Sequence, residues 1–186
     1  MNVNVIQINL NRCGVAPDLL RQNIAERSIG LCIVSEPPRA ISRCSDGFVS
    51  GDGLSAVLWD TGCSGNRVCS LVNCRDNFVT VRYGNVIIVA CYVSPNVSLN
   101  AFSTFLDDLY EVRPVADRIM IGDDFNAHSV DWGSSAIDRR GELVVRWAAT
   151  LDLRLLNERG VFTCVRPQGA SIVDLTWCSS SAISDI

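Results

Sequence analysis

Short apolar runs that end in polar or turn-forming residues recur along the whole chain. Val3–Leu10 reads VNVIQINL, alternating enough to predict a strand with one buried face. Pro17 suits a first helical turn, and Leu19, Leu20, Ile24 and Ala25 follow at helical spacing, so a helix is predicted as far as Arg27. Leu31–Val34 reads as a short buried strand running into Ser35-Glu36-Pro37-Pro38, where the prolines stop pairing and hold the acid at the strand's end. Residues 39–53 are polar and Gly-rich, a loop. Leu54–Trp59, Arg67–Val72, Phe78–Tyr83 and Val86–Val93 are strand-like, the last two joined by a Gly84-Asn85 turn. Ser98 reads as a helix cap with Phe102, Phe105, Leu106 and Leu109 facing the core. Ala116–Ile121 is an apolar strand, and Gly141–Leu151 carries Leu143, Val144, Trp147 and Ala148 at helical spacing. Val161–Val165 and Ser171–Trp177 are predicted strands around a turn at Arg166–Gly169. No repeat, low-complexity tract or linker interrupts the pattern. One α/β domain over residues 1–186 is expected, two helix-bearing halves flanking strand-rich layers.

Composition narrows the classes. A hydrophobic content of 48% over 186 residues suits a packed core and not a disordered segment. The longest apolar run, Val86–Val93, is far shorter than a membrane span, and Met1–Leu10 with its three Asn is no signal peptide. The expectation is an intracellular protein with no membrane partner. Nine cysteines without a C-x-x-C pair, and His128 as the only histidine, argue against a zinc site of ordinary spacing. The cysteines are expected to be reduced and mostly buried. A net charge of −4 does not favour nucleic acid, yet all 16 basic residues are Arg, whose planar fork suits phosphates. A coding bias explains the missing Lys equally well. Acids gathered around a metal can coexist with a basic rim, so the charge balance neither supports nor excludes DNA.

Ile119–Trp132 reads IMIGDDFNAHSVDW, a buried strand that runs out into acids and an amide. Asp124 and Asn126, two residues apart, leave the same face of an extended backbone and together can orient a water molecule. Other strand ends deliver polar residues in the same manner: Asn9 after the first, Glu36 after the second, and Tyr92 before Ser94-Pro95-Asn96. Asp174 is embedded in the apolar Ile172–Trp177 run, where a buried charge needs a partner. Each has a plainer account taken singly. Asn9 can cap a turn, Glu36 can end a surface strand, Tyr92 can sit in the core, and Asp174 can pair with Arg166. As a set, hard carboxylate and amide oxygens point to metal-assisted hydrolysis with Mg²⁺ or Mn²⁺.

The motifs Q-I-N-L-N, V-S-E-P, C-Y-V-S-P-N, G-D-D-F-N-A-H-S and S-I-V-D-L-T-W stand in this order over essentially the whole chain. In that order they resemble the endonuclease/exonuclease/phosphatase superfamily. More narrowly they resemble the apurinic-endonuclease-like domain of non-LTR retrotransposons. D-F-N-A-H-S with a following W-G, then T-C-V-R-P-Q-G-A-S-I-V-D-L-T-W, is most like the clade inserting into ribosomal or telomeric repeats. The resemblance implies a deoxyribonuclease I-like four-layer α/β sandwich, two sheets flanked by helices. It implies a metal-dependent endonuclease that nicks double-stranded target DNA in the nucleus. The resulting 3′-hydroxyl would prime a reverse transcriptase domain of the same polyprotein. Glu36 would be the principal metal ligand with Asn9 beside it, Asp124 would activate or position the attacking water, and Asn126 would orient it and the scissile phosphate. Tyr92 would contact the scissile phosphate, with Asn96 nearby, and Thr163 and Ser171 would touch the DNA backbone. Asp174 would hold the family's catalytic histidine in its productive tautomer.

Two departures qualify the resemblance. Asp123 stands where the family usually has Gly, an additional negative charge beside Asp124. The family ends in a strand bearing S-D-H, whereas this sequence reads Ser184-Asp185-Ile186, so a chain short of its final strand is expected. His128 offers a substitute two residues beyond Asn126, but A-H-S after D-F-N is an ordinary family feature outside the acid–base roles. Two other functions share these motifs. One is a small-substrate phosphodiesterase or phosphatase of the superfamily, the other a DNA-binding remnant without catalysis.

Overall fold

Residues 3–41, 45–60, 62–63, 67–112, 118–167 and 169–183 are described by a computed structural model, which leaves the side chain of Asp123 and the 184–186 segment outside that description. The chain runs β1 (Asn4–Asn9), α1 (Ala16–Arg27), β2 (Ile29–Ser35), β3 (Gly47–Val49), β4 (Ser55–Trp59), β5 (Cys69–Cys74), β6 (Phe78–Tyr83), β7 (Val86–Tyr92), α2 (Leu99–Tyr110) and β8 (Ile119–Asp124). After a 3₁₀ turn at Val130–Trp132 come α3 (Arg139–Thr150), β9 (Leu153–Leu155), β10 (Cys164–Arg166), β11 (Gly169–Ser171) and β12 (Asp174–Ser179). One sheet has the order β1-β2-β4-β3 and the other β5-β6-β7-β8-β12-β9, with β10-β11 a separate hairpin. Pairs β1/β2 and β7/β8 are parallel. No described helix is long and apolar enough to cross a membrane.

Three apolar layers hold the sheets and helices together. Leu31, Ile33 and Val57 of the smaller sheet meet Val79, Val81, Ile88, Ala90 and Met120 of the larger one. The outer face of the smaller sheet packs on α1 through Leu20, Cys32 and Val34. The outer face of the larger sheet packs on α2 and α3 through Phe102, Phe105, Leu109, Val144 and Trp147. Because β2 and β7 are buried on both faces, they read as continuous apolar runs instead of alternating ones. Between the sheets, Gly122 permits a close approach: a Cβ there would lie 2.9 Å from the Ile33 side chain. The Thr176 hydroxyl donates to Gln7 Oε1 across the same gap at 2.5 Å.

Several boundaries differ from the sequence reading. The 39–53 loop contains β3, whose Phe48 is only half-buried and stacks on Trp59 at 5.1 Å. Strand β9 went unanticipated because its three residues follow α3 directly and pair only with β12. The predicted Val161–Val165 strand forms only from Cys164, and Ser171–Trp177 splits: Ser171 closes the hairpin, Ile172 and Val173 lie in no strand, and the sheet is joined from Asp174 as β12. Residues 116–117 of the predicted Ala116–Ile121 strand lie outside the described residues, and β8 runs on to Asp124. Helix α3 begins at Arg139 and not Gly141, because the Asp138 carboxylate caps it by accepting from the Gly141 N–H at 2.6 Å. Cysteine burial also differs. Of the eight described cysteines, all free, only Cys32, Cys91 and Cys178 are buried.

Gly141 sits where α3 meets the segment after β8, and a Cβ on it would lie 1.9 Å from the His128 carbonyl oxygen. Alanine ordinarily stabilises a helix relative to glycine by about 1 kcal/mol. Here the sign reverses: Gly141→Ala should lower the unfolding free energy by about 1–3 kcal/mol through overpacking. Urea denaturation of the two proteins checks it, and a gain in stability would refute the contact.

Candidate active site

Strand register assembles the site. Across the larger sheet Tyr92 pairs with Asp124, and Asp124 pairs with Asp174, so three neighbouring strands place these residues side by side. In the smaller sheet Asn9 pairs with Ser35, which puts Asn9 and Glu36 at adjacent strand ends. The two sheets face each other, and both sets converge on one rim.

A single amide joins them. Asn9 Nδ2 donates to Glu36 Oε2 at 3.2 Å and to Asp124 Oδ2 at 3.0 Å. Its Oδ1 accepts the Asn11 N–H at 2.8 Å, which fixes which end of the amide faces the acids. The Tyr92 hydroxyl donates to Glu36 Oε1 at 3.2 Å, so both oxygens of Glu36 are engaged. Asn126 donates through Nδ2 to the Val93 carbonyl at 3.1 Å, and its backbone N–H reaches Asp124 Oδ1 at 3.3 Å. Glu36 and Asn126 both have φ +47°, left-handed conformations that a non-glycine residue adopts only when its surroundings hold it there. For Glu36 the holding contacts are its N–H to the Leu54 carbonyl at 2.8 Å and its carbonyl to the Arg12 N–H at 2.8 Å.

Three carboxylates at one rim perturb each other. Burial and then the charge of Asp124 push the Asp174 carboxyl up to about 6, with the Thr163 hydroxyl partly offsetting them. Asp174 Oδ1 is buried with no hydrogen-bond partner. Burial raises Asp124 as well, against the opposing pull of the Asn9 amide, the Asn126 N–H and Arg166. Tyr92 is pushed up to about 12, chiefly by burial and then by Glu36, so it stays a hydrogen-bond donor. Arg166 therefore acts on Asp124, and no hydrogen bond or ion pair joins it to Asp174 among the described residues.

The remaining expected residues border this rim. Asn9, Glu36, Asp124, Thr163, Arg166 and Asp174 line a cleft of about 310 Å³. A neighbouring cleft of about 330 Å³ is lined by Asp124, Asn126, His128, Arg166 and Ser171 among others. The Thr163 hydroxyl accepts the N–H groups of Val173 and Asp174, both at 3.1 Å, and so positions the start of β12. Asn96 is exposed beyond β7, its N–H bonded to Ser94 Oγ at 3.3 Å. Two supporting residues escaped the sequence reading. Asn157 bonds the Asp174 carbonyl and the Thr176 N–H, both at 2.8 Å, and Asp138 holds His128. Asn157 had no legible signal, since a lone Asn in a loop is commonplace; Asp138 had one, as an acid preceding an apolar helical stripe.

Donor chemistry fits a hard divalent cation. Among the described residues no group of three His, Cys, Asp or Glu forms a ready-made cage. One or two carboxylates, here Glu36 and Asp124, are what Mg²⁺ uses when it keeps water and takes further ligands from phosphate, and the Asn9 N–H groups align them without occupying a ligand position.

Comparison with known proteins agrees with this geometry. Residues 86–185 match the sequence profile of a family described as endonuclease-reverse transcriptase. No curated protein matches in sequence. Among solved structures, the chain is similar to the endonuclease domain of TRAS1, a telomere-specific non-LTR retrotransposon. The TM-score is 0.81 at 26% identity, over 96% of this chain and 86% of that one. It shares its fold with the 3′-5′ exonuclease NExo from Neisseria meningitidis, with a TM-score of 0.64 at 11% identity, over 97% and 88% of the two chains. An AP endonuclease from Archaeoglobus fulgidus is also similar in fold, with a TM-score of 0.64 at 12% identity over the same shares. The deoxyribonuclease I-like sandwich expected from the motifs is the fold observed. With the profile covering more than half of its length, the chain belongs to the endonuclease–reverse transcriptase family.

Proposed function

We propose that this domain is a Mg²⁺- or Mn²⁺-dependent endonuclease that nicks one strand of double-stranded DNA by phosphodiester hydrolysis. It leaves a 3′-hydroxyl that primes a reverse transcriptase domain of the same polyprotein in the nucleus. The observation that carries the reading is the Asn9 amide between Glu36 and Asp124, which gathers acids from both sheets at one rim. The likeness to an endonuclease domain from a retrotransposon favours DNA over a small phosphate ester.

Each side chain has a role in such a reaction. Glu36 would hold the ion, which when bound would polarise the phosphate and stabilise the departing oxygen. Asn9, expected beside it as a ligand, instead turns its N–H groups to the acids and aligns Glu36 with Asp124. Asp124 takes the proton from the attacking water, a role suited to a carboxylate made more basic by burial. Asn126, anchored to the Val93 carbonyl, orients that water. The Tyr92 hydroxyl, a donor now spent on Glu36, turns to a phosphate oxygen. Asn96, Thr163 and Ser171 contact the DNA backbone on either side. Asp174 adds negative charge behind Asp124 and keeps the site selective for a cation.

Supercoiled plasmid incubated with Mg²⁺ should relax to the nicked circle, whereas p-nitrophenyl phosphate should be left intact. Asp124→Ala should slow nicking about 10²–10⁴-fold, as expected for loss of a general base. Nicking that survives in that variant would refute the role of Asp124, and hydrolysis of the ester alone would refute the DNA substrate.

Burial and charge repulsion at the rim also predict a pH dependence of stability. Folding raises Asp174 to about 6, so the folded protein binds its proton more tightly than the unfolded chain does. The sign follows: the contribution of Asp174 to stability is fully present below the ordinary carboxylate range and is lost as pH rises through about 6. In EDTA at pH 7.5, Asp174→Asn should therefore be more stable than the parent by about 1–3 kcal/mol, and at pH 4 the gain should vanish. Urea denaturation at the two pH values measures this; equal stability of the two proteins at pH 7.5 would contradict it.

A further inference from the structure

His128 is the one imidazole in the chain, and the structure holds it unusually firmly for a half-exposed side chain. Its Nδ1 lies 3.0 Å from Asp138 Oδ2. The other oxygen of Asp138 caps α3 through the Gly141 N–H, and the Asp138 N–H donates to the His128 carbonyl at 3.0 Å. Side chain and backbone are thus strapped to the same helix end, against a glycine with no room for a Cβ. Arg140 ties that helix end in turn to the segment after β7, donating to the carbonyls of Ser94, Pro95 and Val97 at 2.8–3.1 Å.

This strapping has a consequence at the other ring nitrogen. With Nδ1 on a carboxylate, Nε2 has no partner among the described residues, and the ring lines the cleft that also contains Asp124, Asn126, Arg166 and Ser171. Helix capping needs only one oxygen of Asp138 and none of His128. The pairing therefore adds nothing to the cap and fixes the orientation of the imidazole. With Nδ1 held by Asp138, Nε2 is the ring atom left to meet an anion, and a phosphodiester entering this cleft would be such an anion.

We propose that His128, oriented by Asp138, is a DNA-contacting residue whose Nε2–H donates to a backbone phosphate next to the scissile one, on the β8–hairpin side of the site. The proposal rests on the endonuclease reading. It assigns His128 to binding and not to the bond-breaking step, which falls to the Glu36 and Asp124 carboxylates that Asn9 aligns.

Binding of a fluorescent DNA duplex, followed by anisotropy in EDTA over a range of salt concentrations, tests this apart from catalysis. His128→Gln should weaken binding about tenfold, and the slope of log K against log salt should fall by about one charge. Asp138→Asn keeps a capping side chain but withdraws the carboxylate, and should show a smaller loss in the same direction with α3 intact by circular dichroism. In Mg²⁺, His128→Gln should raise KM for nicking and leave kcat within about twofold. An unchanged salt slope, or a loss confined to kcat, would overturn the assignment while leaving the endonuclease reading in place. A parent protein that neither binds nor nicks DNA would overturn both.

Discussion

One amide group holds the candidate site together. Asn9 Nδ2 spends its two hydrogens on carboxylates from different sheets, and its oxygen is pinned by the chain two residues on. Without a donor at that point, Glu36 and Asp124 would face each other at a buried rim with nothing between them. Like charges in such a place either take up protons or separate. The amide can only sit there if the sheets pack in one relative position. Gly122 under Ile33 and the Thr176–Gln7 hydrogen bond help set that position. A one-residue slip of β8 against β7 or β12 would turn Asp124 to the opposite face and dismantle the arrangement.

The strand ends carry backbone strain as well as charge. Asn11, Arg12, Glu36 and Asn126 all adopt positive φ, and all lie at or just beyond the C-terminal ends of strands that meet at the site. Each such residue costs about 1–3 kcal/mol unless its side chain relieves it locally. Asn126 and Glu36 are kept in place by bonds to carbonyls and N–H groups of neighbouring segments, so the sheets behind them supply the rigidity. The buried, unpartnered Asp174 Oδ1 belongs to the same pattern. Local cost is concentrated where phosphate chemistry would need fixed, charged groups, and the three apolar layers offset it.

Legibility followed the physics of each element. Strands buried on both faces and helices with strong caps were visible as apolar runs and stripes, and Ser98 capping α2 is one such case. The strand ends were visible because polar residues stop an apolar run abruptly, as in Ser35-Glu36-Pro37-Pro38 and Gly122-Asp123-Asp124. What joins them was not visible. That Asn9 bridges two acids depends on sheet packing between residues 115 positions apart, which no local pattern encodes. The short elements β3, β9, β10 and β11 were missed or misplaced for a related reason. Three-residue strands take their conformation from a neighbour and not from their own propensity. Thr163 illustrates the limit: its hydroxyl holds two backbone N–H groups of another strand, a role that residue type alone does not reveal.

Net charge misleads for the same reason. The chain carries −4, yet arginines stand close to the acids of the rim. Glu36, Asp124 and Asp174 sit inside, while Arg12 and Arg39 border an adjoining cleft of about 450 Å³ and Arg166 borders the site itself. Guanidiniums at the edge and carboxylates at the centre make a field that changes sign over a few ångströms. For the proposed DNA substrate, a cation at the centre would offset the repulsion between these carboxylates and a phosphate. The acidic composition that weighs against a nucleic-acid partner is thus compatible, once folded, with the proposed DNA substrate when a cation is held at the centre.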